Sequence, residues 1–201
     1  MNGLKKLNIA DWFSLYRVFA LPLLIILIIL GERRIFTWFL LISYATDAID
    51  GWLARSLKIS TARGSQLDSL GDQLTLGVAL IGLLVFEEAF IRENLTLILI
   101  AFVPYVFQMV LAFNRYGKAT AFHTYLAKIS AITQGVFILW LLFFEPVYWL
   151  FYLMVGLSIL ETLEEITLIF LYKNWVENVK GIYWALRDKR RVSPFTEGEA
   201  R

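Results

Sequence analysis

Residues 95–113 read LTLILIAFVPYVFQMVLAF, nineteen positions without one charged side chain. A helix of ~20 such residues matches the thickness of a bilayer's hydrocarbon core. Five further apolar stretches of similar length lie at 12–30, 36–54, 69–86, 127–144 and 147–171. Barrel-type alternation is absent from them, and only closed hydrogen-bonded structures survive in lipid, so the sequence predicts helices. Composition points the same way. The 201 residues are 59% hydrophobic, 16% aromatic and 18% charged, with a mean hydropathy of +0.65. Soluble domains run about 45–50% apolar and about 25% charged, and one small globule could not hide this much apolar surface. Fibrous, disordered and disulfide-scaffold classes are excluded as well. With no Cys and one His, disulfide, thiolate and His-rich metal chemistry are out, so any metal must be held by oxygen.

The expected architecture is an all-α membrane protein of six transmembrane helices. The net charge of +2 says little as a total; its distribution orients the chain. Lys5, Lys6, Arg55, Lys58, Arg63, Arg115, Lys118, Lys128 and the basic tail fall on one side. Glu87, Glu88, Glu93 and Glu145, with Arg92, fall on the other. The positive-inside bias then makes both termini cytoplasmic. Arg33 and Arg34 are a minority on the wrong side. The first apolar run lacks a small-residue cleavage site and reads as a retained helix. A domain of residues 1–172 is followed by a basic tail, 173–201. Within it Trp175, Val179, Ile182 and Leu186 recur at helical spacing, which predicts an amphipathic interfacial helix over 173–191 lying on the anionic inner leaflet. Residues after Pro194 read as disordered.

Ionisable groups near apolar spans carry the chemistry, because each is costly there. Asp47 and Asp50 are three apart at the cytoplasmic end of the second span; Asp68 and Asp72 are four apart at the start of the third. Both spacings put side chains on one helix face, and the short connection brings the two faces together. Four such carboxylates would not all stay ionised without positive charge between them. Arg55 and Arg63 could supply some of it. Hard divalent cations supply it better, since oxygen-only clusters suit Mg²⁺, Mn²⁺ or Ca²⁺. Gly51 and Ala54 leave room beside Asp50 for a ligand, and Arg55 can hold a phosphate by a bidentate contact. Gly64 stands one turn before Asp68. Metal, arginine and a clearing together describe a pyrophosphate site at the membrane surface.

The pattern Asp47-x-x-Asp50-Gly51-x-x-Ala54-Arg55, eight residues, then Gly64-x-x-x-Asp68-x-x-x-Asp72 resembles the signature of the CDP-alcohol phosphatidyltransferase family. The resemblance implies that a CDP-linked lipid, usually CDP-diacylglycerol, gives its phosphatidyl group to an alcohol while CMP leaves. It implies two divalent cations, Mg²⁺ or Mn²⁺, on Asp47, Asp50, Asp68 and Asp72, with Asp72 also a candidate base for the acceptor hydroxyl. Gly51, Ala54, Arg55 and Gly64 match positions around the CDP moiety. A homodimer is a further implication; nucleic acid is not an expected partner. The reaction suits these residues, because phosphoryl transfer asks for charge neutralisation and in-line positioning rather than a protein nucleophile.

Two other segments bear on the acceptor. The stretch Asn8-Ile9-Ala10-Asp11-Trp12-Phe13-Ser14-Leu15-Tyr16-Arg17 resembles the entry segment, Asn-x-x-Thr-x-x-Arg, of the phosphatidylglycerophosphate synthase and cardiolipin synthase branch, with Ala10 in place of the usual Pro and Ser14 in place of the usual Thr. Lys128-Ile129-Ser130-Ala131-Ile132-Thr133-Gln134 is similar to the branch's Gly-Lys-x-Lys-Thr-x-x-Gln. Lys128 and Gln134 match; Ala127, Ser130 and Ala131 depart. Arg115, Lys118 and Lys128 could therefore hold an anionic acceptor, glycerol-3-phosphate first, with inositol or inositol phosphate as alternatives. The same three cations could instead touch lipid headgroups. His123 reads as an interfacial polar residue. Glu161, Glu164 and Glu165 lie inside the sixth run, which implies either partners such as Arg17 or a helix partly outside the bilayer. A divalent-cation transporter is the competing class. It would carry polar groups through the bilayer, whereas the Asp cluster gathers at one face.

Overall fold

The computed structural model describes residues 20–57 and 62–192, and within them every side chain except those of 47, 48, 50–57, 62–70, 72, 73 and 188–192. Its elements are helices: α1 (Ala20–Ile29 as described), α2 (Arg33–Leu57), α3 (Ala62–Phe86), α4 (Glu88–Glu93), α5 (Leu95–Tyr116), α6 (Tyr125–Phe143), α7 (Tyr148–Leu171) and α8 (Ile182–Val192). Among the described residues there is no strand, only an isolated bridge between Ala121 and Glu177. A helix lies in each of the six apolar stretches read from the sequence, in the first of them over its described part, Ala20–Ile29. By length and apolarity α5 and α6 qualify as membrane-crossing helices. The chain divides into two compact units.

The first unit contains the described residues up to Glu93 together with Ile138–Pro146, the end of α6 and the turn after it. Helix α1 stops at Gly31, whose φ of +72° is a left-handed conformation that glycine adopts without strain. Helices α2 and α3 pack against each other as a hairpin. Its antiparallel sense follows from Gly82, near the end of α3, which lies against the ring of Phe36, near the start of α2. Phe36, Thr37, Leu40 and Ser43 on α2 and Thr75, Val78, Ala79 and Leu83 on α3 are buried. Arg33, on the wrong side by charge counting, has an internal job. Its Nε and Nη2 donate to the carbonyls of Leu142 and Leu141, both at 3.1 Å, and its guanidinium pairs with Glu87. A cation at the open carbonyls of the last turn of α6 also complements that helix's dipole.

The second unit contains Asn94–Phe137 and the described residues from Val147 onward. Helix α5 starts after Asn94 and ends at Gly117, whose φ is +71° and whose N–H donates to the Phe113 carbonyl at 2.8 Å. Helices α5 and α7 form its main packing contact. The most apolar window of α5 is only 11% buried, so large side chains such as Phe102, Val103, Phe107 and Val110 stand exposed. A soluble core helix would hide them; a lipid-facing one does not need to.

The tail corrects one expectation. The helix foreseen over 173–191 begins only at Ile182. Residues 172–181 form an extended strap instead, because Asn178 (φ 57°) and Gly181 (φ 150°) break helical backbone. The strap meets its hydrogen-bonding needs on the 117–124 connection: Asn178 N donates to Ala121 O at 3.1 Å and Lys180 O accepts from Tyr125 N at 3.3 Å. Val179 and Ala185 then join a core with Ala112, Phe122, Leu168 and Ile169. Leu186, expected on the same face as Ile182, is exposed, as are Tyr183 and Trp184. The residues after Pro194 lie outside the described residues, as do Asn8, Ser14 and Arg17.

Candidate functional site

Asp47, Asp50, Gly51, Ala54 and Arg55 belong to the second half of α2; Gly64, Asp68 and Asp72 belong to the first half of α3. Their side chains lie outside the described residues, as do residues 58–61 between the two helices; only the helical backbone at these positions is described. The backbone nonetheless fixes their register. Eleven residues on from Phe36 is Asp47, and eleven back from Gly82 is Gly71, a rise of about 16 Å along each helix. Asp47 is thus level with Gly71, between Asp68 and Asp72, and Asp50 is level with Asp68. Helical periodicity adds the face. Positions 36, 40 and 43, buried in the first half of α2, continue to 47, 50 and 54 at the same three- and four-residue steps. On α3, buried 83, 79 and 75 continue to 72, 68 and 64. Among the described residues no group of three His, Cys, Asp or Glu could hold a metal.

The second unit places the basic residues. Arg115, in the last turn of α5, donates from Nε to the Tyr172 carbonyl at 3.2 Å. The Lys118 ammonium stands 3.3 Å from the centroid of the Trp175 ring, within cation–π range. Lys128, in the first turns of α6, is 5.8 Å from the Tyr125 ring centroid. Arg115 and Lys118 thus share the strap as a neighbour, while Lys128 is held on α6. His123 is exposed in the connection with φ 51°. Gln134 Nε2 donates to Ser158 Oγ at 2.9 Å, tying α6 to α7, and Ser130 on the same face is fully buried.

Two of the three glutamates of α7, Glu164 and Glu165, find neutral partners. Glu165 Oε2 accepts from Gln108 Nε2 at 2.6 Å and from Thr120 Oγ1 at 2.7 Å. Glu164 Oε1 accepts from the Ile182 N–H at 3.2 Å, a negative group at the N-terminus of α8, where unpaired amides and the dipole favour one. Sequence reading singled out the glutamates but missed Gln108 and Thr120. The available signal was Gln108 itself, a lone amide in the most apolar run, which needs a buried partner.

A sequence model of the CDP-alcohol phosphatidyltransferase family matches residues 7–161. The chain belongs to that family. Curated relatives named CDP-diacylglycerol–glycerol-3-phosphate 3-phosphatidyltransferase share part of it. The Yersinia pestis (strain Pestoides F) protein is 34% identical over 83 residues, 38% of this chain and 43% of that protein. The Yersinia enterocolitica relative is 32% identical over 83 residues, with the same coverage. The Pseudomonas fluorescens relative is 36% identical over 89 residues, 41% of this chain and 43% of that protein. The match thus spans less than half the length of these relatives. Family membership and the two long apolar helices mark the chain as membrane-associated.

Proposed function

We propose that this chain is a multi-pass membrane enzyme of phospholipid synthesis that transfers a phosphatidyl group from CDP-diacylglycerol to glycerol-3-phosphate and releases CMP. The observation that carries the reading is the family match over residues 7–161, a stretch that contains both aspartate pairs of the motif. The family match and the names of the relatives support the donor and the acceptor. Six spans with both termini cytoplasmic put the site at the cytoplasmic face, and a homodimer completes the proposal.

In this reading Asp47, Asp50, Asp68 and Asp72 would hold two Mg²⁺ or Mn²⁺ ions, and the chemistry such ions would supply is neutralisation of the pyrophosphate and of the charge on the leaving phosphate. Gly51, Ala54 and Gly64 leave space for the CDP moiety, and Arg55 takes a phosphate oxygen. The acceptor hydroxyl oxygen forms the new bond to the phosphatidyl phosphorus. The bond from that phosphorus to CMP breaks, and CMP departs with the electron pair. Asp72 is within the motif as the group that takes the hydroxyl proton, a role shared with metal binding. Arg115, Lys118 and Lys128 attract the acceptor phosphate.

The test is CMP release by the purified full-length chain in detergent with CDP-diacylglycerol and Mg²⁺. Release that depends on glycerol-3-phosphate is the expected result. Release with inositol or inositol phosphate but not glycerol-3-phosphate would replace the acceptor. No release with any alcohol, together with divalent-cation flux in proteoliposomes, would replace the enzyme with a transporter.

A further inference from the structure

The connection between α5 and α6 is held along nearly its whole length. Tyr116 Oη donates to the carbonyls of Ile169 and Tyr172 at 3.2 and 2.9 Å. Trp175 Nε1 donates to Ala119 O at 3.0 Å. Thr120 donates to Glu165, and Gln108 braces the same carboxylate oxygen. Ala121 accepts from Asn178 N, Phe122 is buried beside Tyr172, and Thr124 Oγ1 caps α6 through Ala127 N at 3.0 Å. Surface connections are ordinarily mobile. This one carries Lys118 and follows directly on Arg115 in the last turn of α5, and each cation is itself held by the strap, Arg115 on the Tyr172 carbonyl and Lys118 on the Trp175 ring. Glu165 and the strap also lie beyond the residues that the family model matches.

We propose that Glu165, Thr120 and Trp175 are positioning residues for acceptor binding: they pre-order the basic connection so that Arg115 and Lys118 meet the acceptor phosphate already in place. The inference rests on the acceptor role given to those cations above. Ordering a long charged side chain at the moment of binding weakens affinity, and ordering it beforehand removes that cost. Glu165 acts through Thr120 on the loop backbone. Trp175 acts twice, through its N–H on Ala119 and through its ring on Lys118. A ring face holds an ammonium without neutralising it, so Lys118 keeps its full charge for an anion.

The experiment uses the full-length chain in phospholipid nanodiscs. KM is measured for glycerol-3-phosphate and for CDP-diacylglycerol in Thr120→Val, Glu165→Gln, Trp175→Leu and Trp175→Phe, and the rate of tryptic cleavage after Lys118 is followed in parallel. Thr120→Val, Glu165→Gln and Trp175→Leu are expected to raise the acceptor KM by about three- to tenfold, the cost of ordering one such side chain. Donor KM should stay put and cleavage should quicken. Trp175→Phe, which keeps a ring but loses the N–H, should regain part of the affinity lost in Trp175→Leu. In a Lys118→Met background, Trp175→Leu should add little. Unchanged cleavage, or equal changes in both KM values, would overturn the proposal. If Lys118→Met and Arg115→Ala leave the acceptor KM untouched, the acceptor reading itself fails, and the positioning role with it. If those two raise it while Thr120→Val and Trp175→Leu do not, only the positioning role fails. Should another alcohol prove to be the acceptor, the same comparison made with that alcohol decides.

Discussion

Gly82→Ala tests the hairpin that sets the aspartate levels. A Cβ at Gly82 would stand 2.5 Å from Cζ and 2.6 Å from Cε1 of Phe36. Carbon atoms rest at about 3.5–4.0 Å, so ring or helix must yield by about 1 Å. Phe36 has nowhere to go: it is 0% exposed, and its ring centroid lies 5.4 Å from that of Phe86. Overpacking of this kind costs about 1–3 kcal/mol. Replacing a mid-helix glycine by alanine returns about 0.8–1.0 kcal/mol of helix propensity. The net expectation is a loss of up to about 2 kcal/mol. In a Phe36→Leu background the two clashing ring atoms are gone, so Gly82→Ala should be neutral or stabilising there. The coupling in the double-mutant cycle should exceed about 1 kcal/mol. The assay is the unfolding midpoint of the four variants in one detergent, with CMP release alongside. Turnover should fall with Gly82→Ala, because spreading this end of α2 and α3 disturbs the level of Asp50 against Asp68. A raised midpoint for Gly82→Ala alone, or the same effect in both backgrounds, would refute the close packing and the register drawn from it.

Asp47→Asn, Asp50→Asn and Asp68→Asn should each lower turnover by about 100-fold or more while the helical circular dichroism is kept, and excess chelator should do the same to the unaltered chain; a near-normal rate in any of the three removes that residue from the ligand set. Ala54→Leu should raise the KM for CDP-diacylglycerol by crowding the motif face, with Leu53→Ala, one position away, much milder; equal effects would mean that the face is misassigned. For Glu87, burial raises the carboxyl pKa above its ordinary 4.5, Arg33 opposes the rise and Glu145 adds to it. The folded chain therefore holds that proton more tightly than the unfolded chain, and the associated stability is lost as pH rises from about the ordinary value through the raised one. Glu87→Gln, a mimic of the protonated form, should gain in midpoint relative to the unaltered chain between pH 4 and pH 7, read by thermal unfolding at each pH; a relative loss over that range would mean that the Arg33 pair outweighs burial.

The positions of the helices were legible in the sequence because apolarity over ~20 residues is a local property that lipid makes nearly decisive. The aspartate motif stands out in the sequence for a related reason: charges at the ends of apolar runs are costly, and three- and four-residue spacings put positions on one helix face without any tertiary information. What the sequence could not state is who pairs with whom across distant segments. Arg33 looked misplaced by charge counting until α6 ended beside it with open carbonyls at Leu141 and Leu142. Glu165 looked like an unexplained buried charge until Gln108 and Thr120, 57 and 45 residues away, were brought to it. The tail looked helical from Trp175 because its apolar residues recur at helical spacing. Yet backbone hydrogen bonds to the 117–124 connection were available only in the folded chain, and they drew residues 172–181 into a strap. Periodicity is written in neighbouring residues, whereas burying a polar group requires a partner that only the packing of distant helices supplies.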